Sequence, residues 1–137
     1  MYIIIAGCSK VGASLVNKLS EEGNDVVVID RDKDNFSQLG SGSNCMTLAG
    51  VPIDEDILKD AGIERADALA AVTTDDNTNF MIAQIAQQLY HVPEVITQIN
   101  DPEKQLVLTT MGLQTICPTR LTVEAFFHTL KKGAAEK

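Results

Sequence analysis

Residues 2–19, Tyr2-Ile3-Ile4-Ile5-Ala6-Gly7-Cys8-Ser9-Lys10-Val11-Gly12-Ala13-Ser14-Leu15-Val16-Asn17-Lys18-Leu19, decide the fold. An apolar run of strand length, Tyr2 to Ala6, meets a glycine, and Val11, Leu15 and Leu19 follow at helical spacing. The junction Gly7-Cys8-Ser9-Lys10-Val11-Gly12 has the spacing of the dinucleotide-binding turn G-x-G-x-x-G, with serine at the second glycine and a lysine after it. Gly7 permits a tight turn and Gly12 lets the helix lie close to the strand. The free amides at the helix start, aided by its dipole, attract phosphate. Asp30 ends the next apolar run at about the 20-residue spacing where an acid accepts hydrogen bonds from ribose hydroxyls. Arg31 beside it leaves open a phosphorylated ribose.

Further runs of strand length are Val26 to Ile29, Cys45 to Leu48, Ala68 to Val72, Val95 to Ile99 and Thr115 to Cys117. Helical patterns separate them, so the spacing predicts a six-stranded, mainly parallel sheet buried on both faces: an α/β, Rossmann-like, doubly wound fold. Asp54 is placed to cap a helix that stops at Gly62, and Ile82, Ile85, Ala86 and Leu89 stripe another from Asp76 to Tyr90. Asp101-Pro102 reads as an N-cap with proline at the first helical position. Thr119 or Thr122 starts a last helix through Phe126, Phe127 and Leu130. Residues 1–120 form the nucleotide-binding domain on this reading, and 121–137 a C-terminal helix.

Composition excludes several classes of function. The 137 residues, 45% hydrophobic, suit one globular domain, and the net charge of -8 argues against nucleic acid or an anionic membrane surface as direct partner. The longest apolar runs fall well short of a membrane span, and the first residues lack a signal-peptide pattern, so a cytosolic protein is expected. Cys8, Cys45 and Cys117 are read as small, buried, reduced thiols. His91 and His128 lack ligating neighbours at metal spacing, and the acids Asp54-Glu55-Asp56 and Asp75-Asp76 sit at helix starts. Neither a metal site nor a catalytic set is therefore expected.

Two residues of the turn carry alternatives. Ser9 places a Cβ where pyrophosphate normally approaches bare backbone, although its hydroxyl is also a donor for a phosphate oxygen. Lys10 either reaches a terminal phosphate or is a solvated lysine. The turn taken alone also fits a strand-to-helix connection that binds nothing.

Three segments together resemble one family. They are "IIIAGCSKVGASLVNKLSEEGNDVVVID" (3–30), "DEDILKDAGIERADALAAVTTDDNTNFMIAQIAQQL" (54–89) and "VPEVITQINDPEKQLVLTTMGLQTICPTRLTVE" (92–124). From Met1 to about Arg120 the chain is similar to the nucleotide-binding N-terminal domain of the cytosolic regulators of potassium uptake and potassium channels, the RCK or Trk/Ktr-type domains. The resemblance implies a glycine loop on Gly7, Cys8, Ser9, Lys10, Val11 and Gly12, with Lys10 at a terminal phosphate and Asp30 at the ribose. It places Gly50 and Val51 beside the adenine, Thr73 and Thr74 near the phosphates and inner ribose, and Gln98 where the family often carries a cation. The loop after the third strand, usually Gly-Asp-Ala-Thr, reads Gly50-Val51-Pro52-Ile53 here and lacks the acid. The implied cofactor is NAD(H) or an adenine nucleotide (ATP, ADP or AMP), and the implied partner is the membrane subunit of a potassium transporter or channel.

The same resemblance implies a homodimer or a ring-like higher oligomer, peripheral to the inner face of the cell membrane and without direct membrane insertion. Leu121, Val123, Phe126, Phe127 and Leu130 are either a crossover surface for a neighbouring copy or packing for the chain's own sheet. The family's C-terminal ligand-binding lobe has no counterpart in these 137 residues, so its ligands are not expected to bind here. The competing function is a fragment of an NAD-dependent oxidoreductase. That reading needs a substrate-holding region and an acid/base group, and no His/Asp or Ser/Tyr/Lys set supplies them.

Overall fold

In the computed structural model, which describes residues 1–135, six strands form one parallel sheet in the order β3-β2-β1-β4-β5-β6. They are β1 Tyr2–Ala6, β2 Asp25–Asp30, β3 Cys45–Ala49, β4 Ala68–Ala71, β5 Glu94–Gln98 and β6 Gln114–Ile116. The helices are α1 Lys10–Glu21, α2 Glu55–Asp60, α3 Asp76–Gln84, α4 Pro102–Thr110 and α5 Pro118–Ala135. This is the expected α/β Rossmann-like fold, and each strand limit lies within one residue of its apolar run.

Strand alternation explains why the sheet is covered twice. Ile4 and Ala6 of β1 join Val27, Ile29 and Leu69 in a core completed by Leu58 of α2 and by Ile82 and Ala83 of α3. Ile3 and Ile5 face the other way, onto Val26, Val28 and the α1 residues Ala13 and Val16. Ile4 and Ile5 are both fully buried. Side chains of that size contribute about 1.5–3 kcal/mol each on burial.

Helix starts follow the local chemistry. Asp54, Asp75 and Asp101 cap α2, α3 and α4 by accepting from the amides of Asp56, Thr78 and Glu103. Thr78 donates to Asp75 through both its hydroxyl and its amide, which holds that carboxyl below the usual aspartate value.

Three expectations need correction. The single helix expected from Asp76 to Tyr90 is α3 followed by one π-helical turn, Ile85–Leu89, in which the Tyr90 amide donates to Ile85 O at 3.3 Å. The added residue per turn rotates Leu89 off the apolar stripe and into solvent. Second, α5 starts at Pro118, ahead of both threonines, where a missing N–H costs nothing. Third, Cys8 and Cys117 are buried, but Cys45 is only partly so because β3 is an edge strand.

Candidate functional site

Strand order reverses at β1, which has β2 on one side and β4 on the other, so the connections after β1 and after β3 run to opposite sides of the sheet. The crevice this opens at the carboxyl ends of the strands is where doubly wound folds bind ligands. A cavity of about 670 Å³ lies there, lined by Gly7 and Ser9, by Asp30, Arg31, Asp32 and Asn35, by Val51, Pro52 and Ile53, and by Thr73, Thr74, Asp75 and Thr78.

The floor is the glycine loop. Gly7 has φ 110°, a conformation side chains rarely adopt, and a Cβ there would stand 2.8 Å from the Thr73 amide nitrogen. Gly12 is tighter still, since a Cβ would fall 2.0 Å from Gly7 O. Both glycines thus serve the close packing of β1, α1 and the end of β4.

Ser9 has a different task from donating to phosphate. Its Oγ donates to Val72 O at 2.7 Å and accepts from the Gly12 amide at 3.1 Å, which makes it the N-cap of α1. The hydroxyl proton is committed to the protein. The Lys10 and Val11 amides, which point out of the helix start, take no acceptor among the described residues.

Asp30 binds the loop as well as facing the cavity. Its Oδ2 accepts from the Cys8 amide at 2.9 Å, and its Oδ1 accepts from the Asp32 amide at 2.8 Å and Asn35 Nδ2 at 3.1 Å. A carboxylate offers about four acceptor positions, so Oδ2 keeps one for a ligand hydroxyl. Cys8 is buried below, its thiol donating to Asn35 O at 3.3 Å. Burial first, then the charge of Asp30 and the nearby Cys45, push that thiol up to about 11.

The remaining expected residues divide. Arg31, Val51, Thr73 and Thr74 join Gly7, Ser9 and Asp30 on the cavity lining, whereas Cys8, Lys10, Val11, Gly12, Gly50 and Gln98 do not line it. Lys10 and Val11 are exposed at the start of α1. Gly50 is pinned under Ile57, whose Cδ1 would lie 2.5 Å from an added Cβ. Gln98 turns its amide toward Asn100 Oδ1 at 3.4 Å. The cation on the lining is therefore Arg31.

Reasoning from sequence missed Asp32, Asn35 and Thr78, and it missed Asn79, which lies behind Thr73 and accepts from its amide at 2.9 Å. Asp32 and Asn35 fit signals of turn chemistry, an acid and an amide just past a strand end, whereas Thr78 stands in the first turn of α3, where Asp75 caps the helix. Asn79 carries no such signal, because a lone asparagine within a helix reads as a surface residue. His128 also needs correction: Glu124 Oε2 lies 3.3 Å from its Nε2 one helical turn away, on an exposed face. No group of three metal-ligating side chains occurs among the described residues. No helix among them is long and apolar enough to cross a membrane.

Comparison with known proteins agrees with this geometry. The chain is 38% identical over 136 residues to the Trk system potassium uptake protein TrkA of Streptomyces coelicolor, covering 99% of this chain and 61% of that protein. It thus spans about three fifths of the length of that relative. The TrkA-N domain of the inner membrane protein ybaL from Escherichia coli superposes with a TM-score of 0.82 at 20% identity, covering 94% of this chain and 96% of that one. The GsuK channel superposes both bound to NAD, with a TM-score of 0.70 at 21% identity over 85% of this chain and 21% of that one, and bound to ADP, with a TM-score of 0.72 at 21% identity over 88% and 32%. The model of the TrkA-N domain matches residues 3–118, and with the doubly wound sheet and its glycine loop this shows that the chain belongs to the TrkA-N domain family.

Proposed function

We propose that this chain is a nucleotide-binding regulatory module of a potassium uptake system, acting in the cytoplasm on a membrane subunit, and not an enzyme. The observation that carries the reading is the cavity at the β1/β4 switch point, which joins a free ribose acceptor on Asp30 to unpaired amides at the start of α1. The base lies against Val51, Pro52 and Ile53, the ribose against Asp30, and the phosphates over the glycine loop. The ligand is NAD(H) or an adenine nucleotide. Lys10, exposed at the first position of α1, meets a terminal phosphate from outside the lining.

Residues 1–120 form the binding domain, and the C-terminal helix expected over 121–137, of which 136 and 137 lie outside the described residues, joins a neighbouring copy. A ligand that fits one arrangement of the copies better than another shifts the assembly by its difference in affinity, and the transporter responds. Support for the regulatory reading over the oxidoreductase one comes from the TrkA relative.

Calorimetry with NAD, NADH, ATP, ADP and AMP tests this. At least one binds with a dissociation constant below about 1 mM, and Asp30→Ala weakens it at least tenfold. Lys10→Ala narrows the preference for ATP over AMP. If none binds the wild type, the regulatory reading fails; turnover of NADH with any substrate favours the oxidoreductase reading.

A further inference from the structure

We propose that Asn79 is a positioning residue that tunes the cavity toward a nucleotide extending beyond its first phosphate, a dinucleotide over a mononucleotide. The inference rests on the nucleotide-binding reading above.

Asn79 is one of two fully buried polar side chains among the described residues, and all of its hydrogen-bonding capacity goes to two places. Its Oδ1 accepts from the Thr73 amide at 2.9 Å and the Thr73 hydroxyl at 2.6 Å. Its Nδ2 donates to Thr73 O at 3.0 Å and Gln98 O at 2.9 Å. The β4/β5 ladder ends at the pair Ala71↔Thr97. Past that point the backbones separate, and the Asn79 amide bridges them in place of the ladder. A buried amide is tolerated only when its bonds are made, so this bridge fixes the segment after β4.

That segment is the far wall of the cavity. β2 with Asp30 stands on one side of β1, and β4 with Thr73 and Thr74 on the other. Thr73 backs onto Gly7 of the glycine loop, so a nucleotide with its ribose on Asp30 and its first phosphate over that loop meets Thr74, further along the wall, through atoms beyond that phosphate. Because the Thr73 hydroxyl is turned inward to Asn79, the exposed Thr74 hydroxyl and the segment's backbone are the groups that the ligand's second half meets. Loosening the wall therefore penalises a dinucleotide and leaves a mononucleotide untouched.

The test is calorimetry of NAD and AMP on wild type and Asn79→Ala. NAD weakens about tenfold, as expected for lost positioning hydrogen bonds, while AMP stays within about twofold. An unchanged NAD affinity, or equal weakening of both ligands as a general loss of stability would give, overturns the inference while the nucleotide reading stands. A wild type that binds neither ligand overturns both. If Asn79→Ala does not fold, Asn79→Ser decides: it keeps a small polar group in the buried site, sets no carboxylate oxygen against the Thr73 and Gln98 carbonyls, and is too short to bridge the two strands. Its NAD-to-AMP affinity ratio falls about threefold, and an unchanged ratio overturns the proposal.

Discussion

The Ser9 hydroxyl donates to the Val72 carbonyl at 2.7 Å, tying the start of α1 to the end of β4 across the sheet's switch point. The same oxygen caps α1 through the Gly12 amide, so this serine does structural work that a glycine at the fingerprint position does not. Ser9→Ala loses cap and tie together and lowers stability by about 1–2 kcal/mol; Ser9→Gly, a tolerable cap, loses about 1 kcal/mol. Urea unfolding checks both values. Neither substitution weakens NAD binding more than about threefold, because the proton they remove is held by Val72. A tenfold loss in either variant would place that hydroxyl on the phosphate.

Gly12 and Gly23 separate packing from conformation. An alanine Cβ at Gly12 meets Gly7 O at 2.0 Å, a backbone atom that cannot swing aside without moving the loop. Gly23 has φ 87° and nothing within 4 Å of an added Cβ, so only the left-handed backbone resists substitution. Gly12→Ala therefore costs about 3 kcal/mol or more and Gly23→Ala about 1 kcal/mol. Equal unfolding midpoints for the two variants would refute the close approach of α1 to β1.

Cys8 gives a pH signature. The folded state holds its proton more tightly than the usual thiol value of 9.0, up to about 11. The resulting stability is fully present below pH 9 and lost as pH rises through 11. The urea midpoint of the wild type accordingly falls across that window, and Cys8→Ala flattens the fall. At about pH 8 iodoacetamide modifies the partly buried Cys45 before Cys8, as peptide mass mapping after timed quenching would show. Faster labelling of Cys8 contradicts its placement beneath the loop.

Much of this was legible because the decisive signals are local. Strand-length apolar runs broken by helical stripes prescribe a parallel sheet, and a glycine turn followed at the right distance by Asp30 prescribes which loop faces the crevice. The features that escaped depend on partners distant in sequence. Ser9 and Val72, Asn79 and Gln98, Cys8 and Asn35 meet only after the strands assemble, and no spacing rule encodes those contacts. The π-helical turn at Ile85–Leu89 escaped for a related reason: residues that fit a 3.6-residue stripe are shifted by the geometry of the turn toward Val92 and β5.

The last helix presents the clearest unfilled surface. Val123, Phe126, Phe127 and Leu130 fall on one stripe of α5, and Phe126 and Leu130 are 66% and 70% exposed, which excludes their packing on the chain's own sheet. Burying four such side chains against a second copy removes a large apolar area from water, and the same residues leave the single chain's core untouched. The double variant Phe126→Glu and Leu130→Glu should thus keep the far-ultraviolet helix signal and the unfolding midpoint measured at low protein concentration. Sedimentation equilibrium should find the wild type dimeric or larger at tens of micromolar and the variant monomeric, whereas a monomeric wild type would refute self-association through this face.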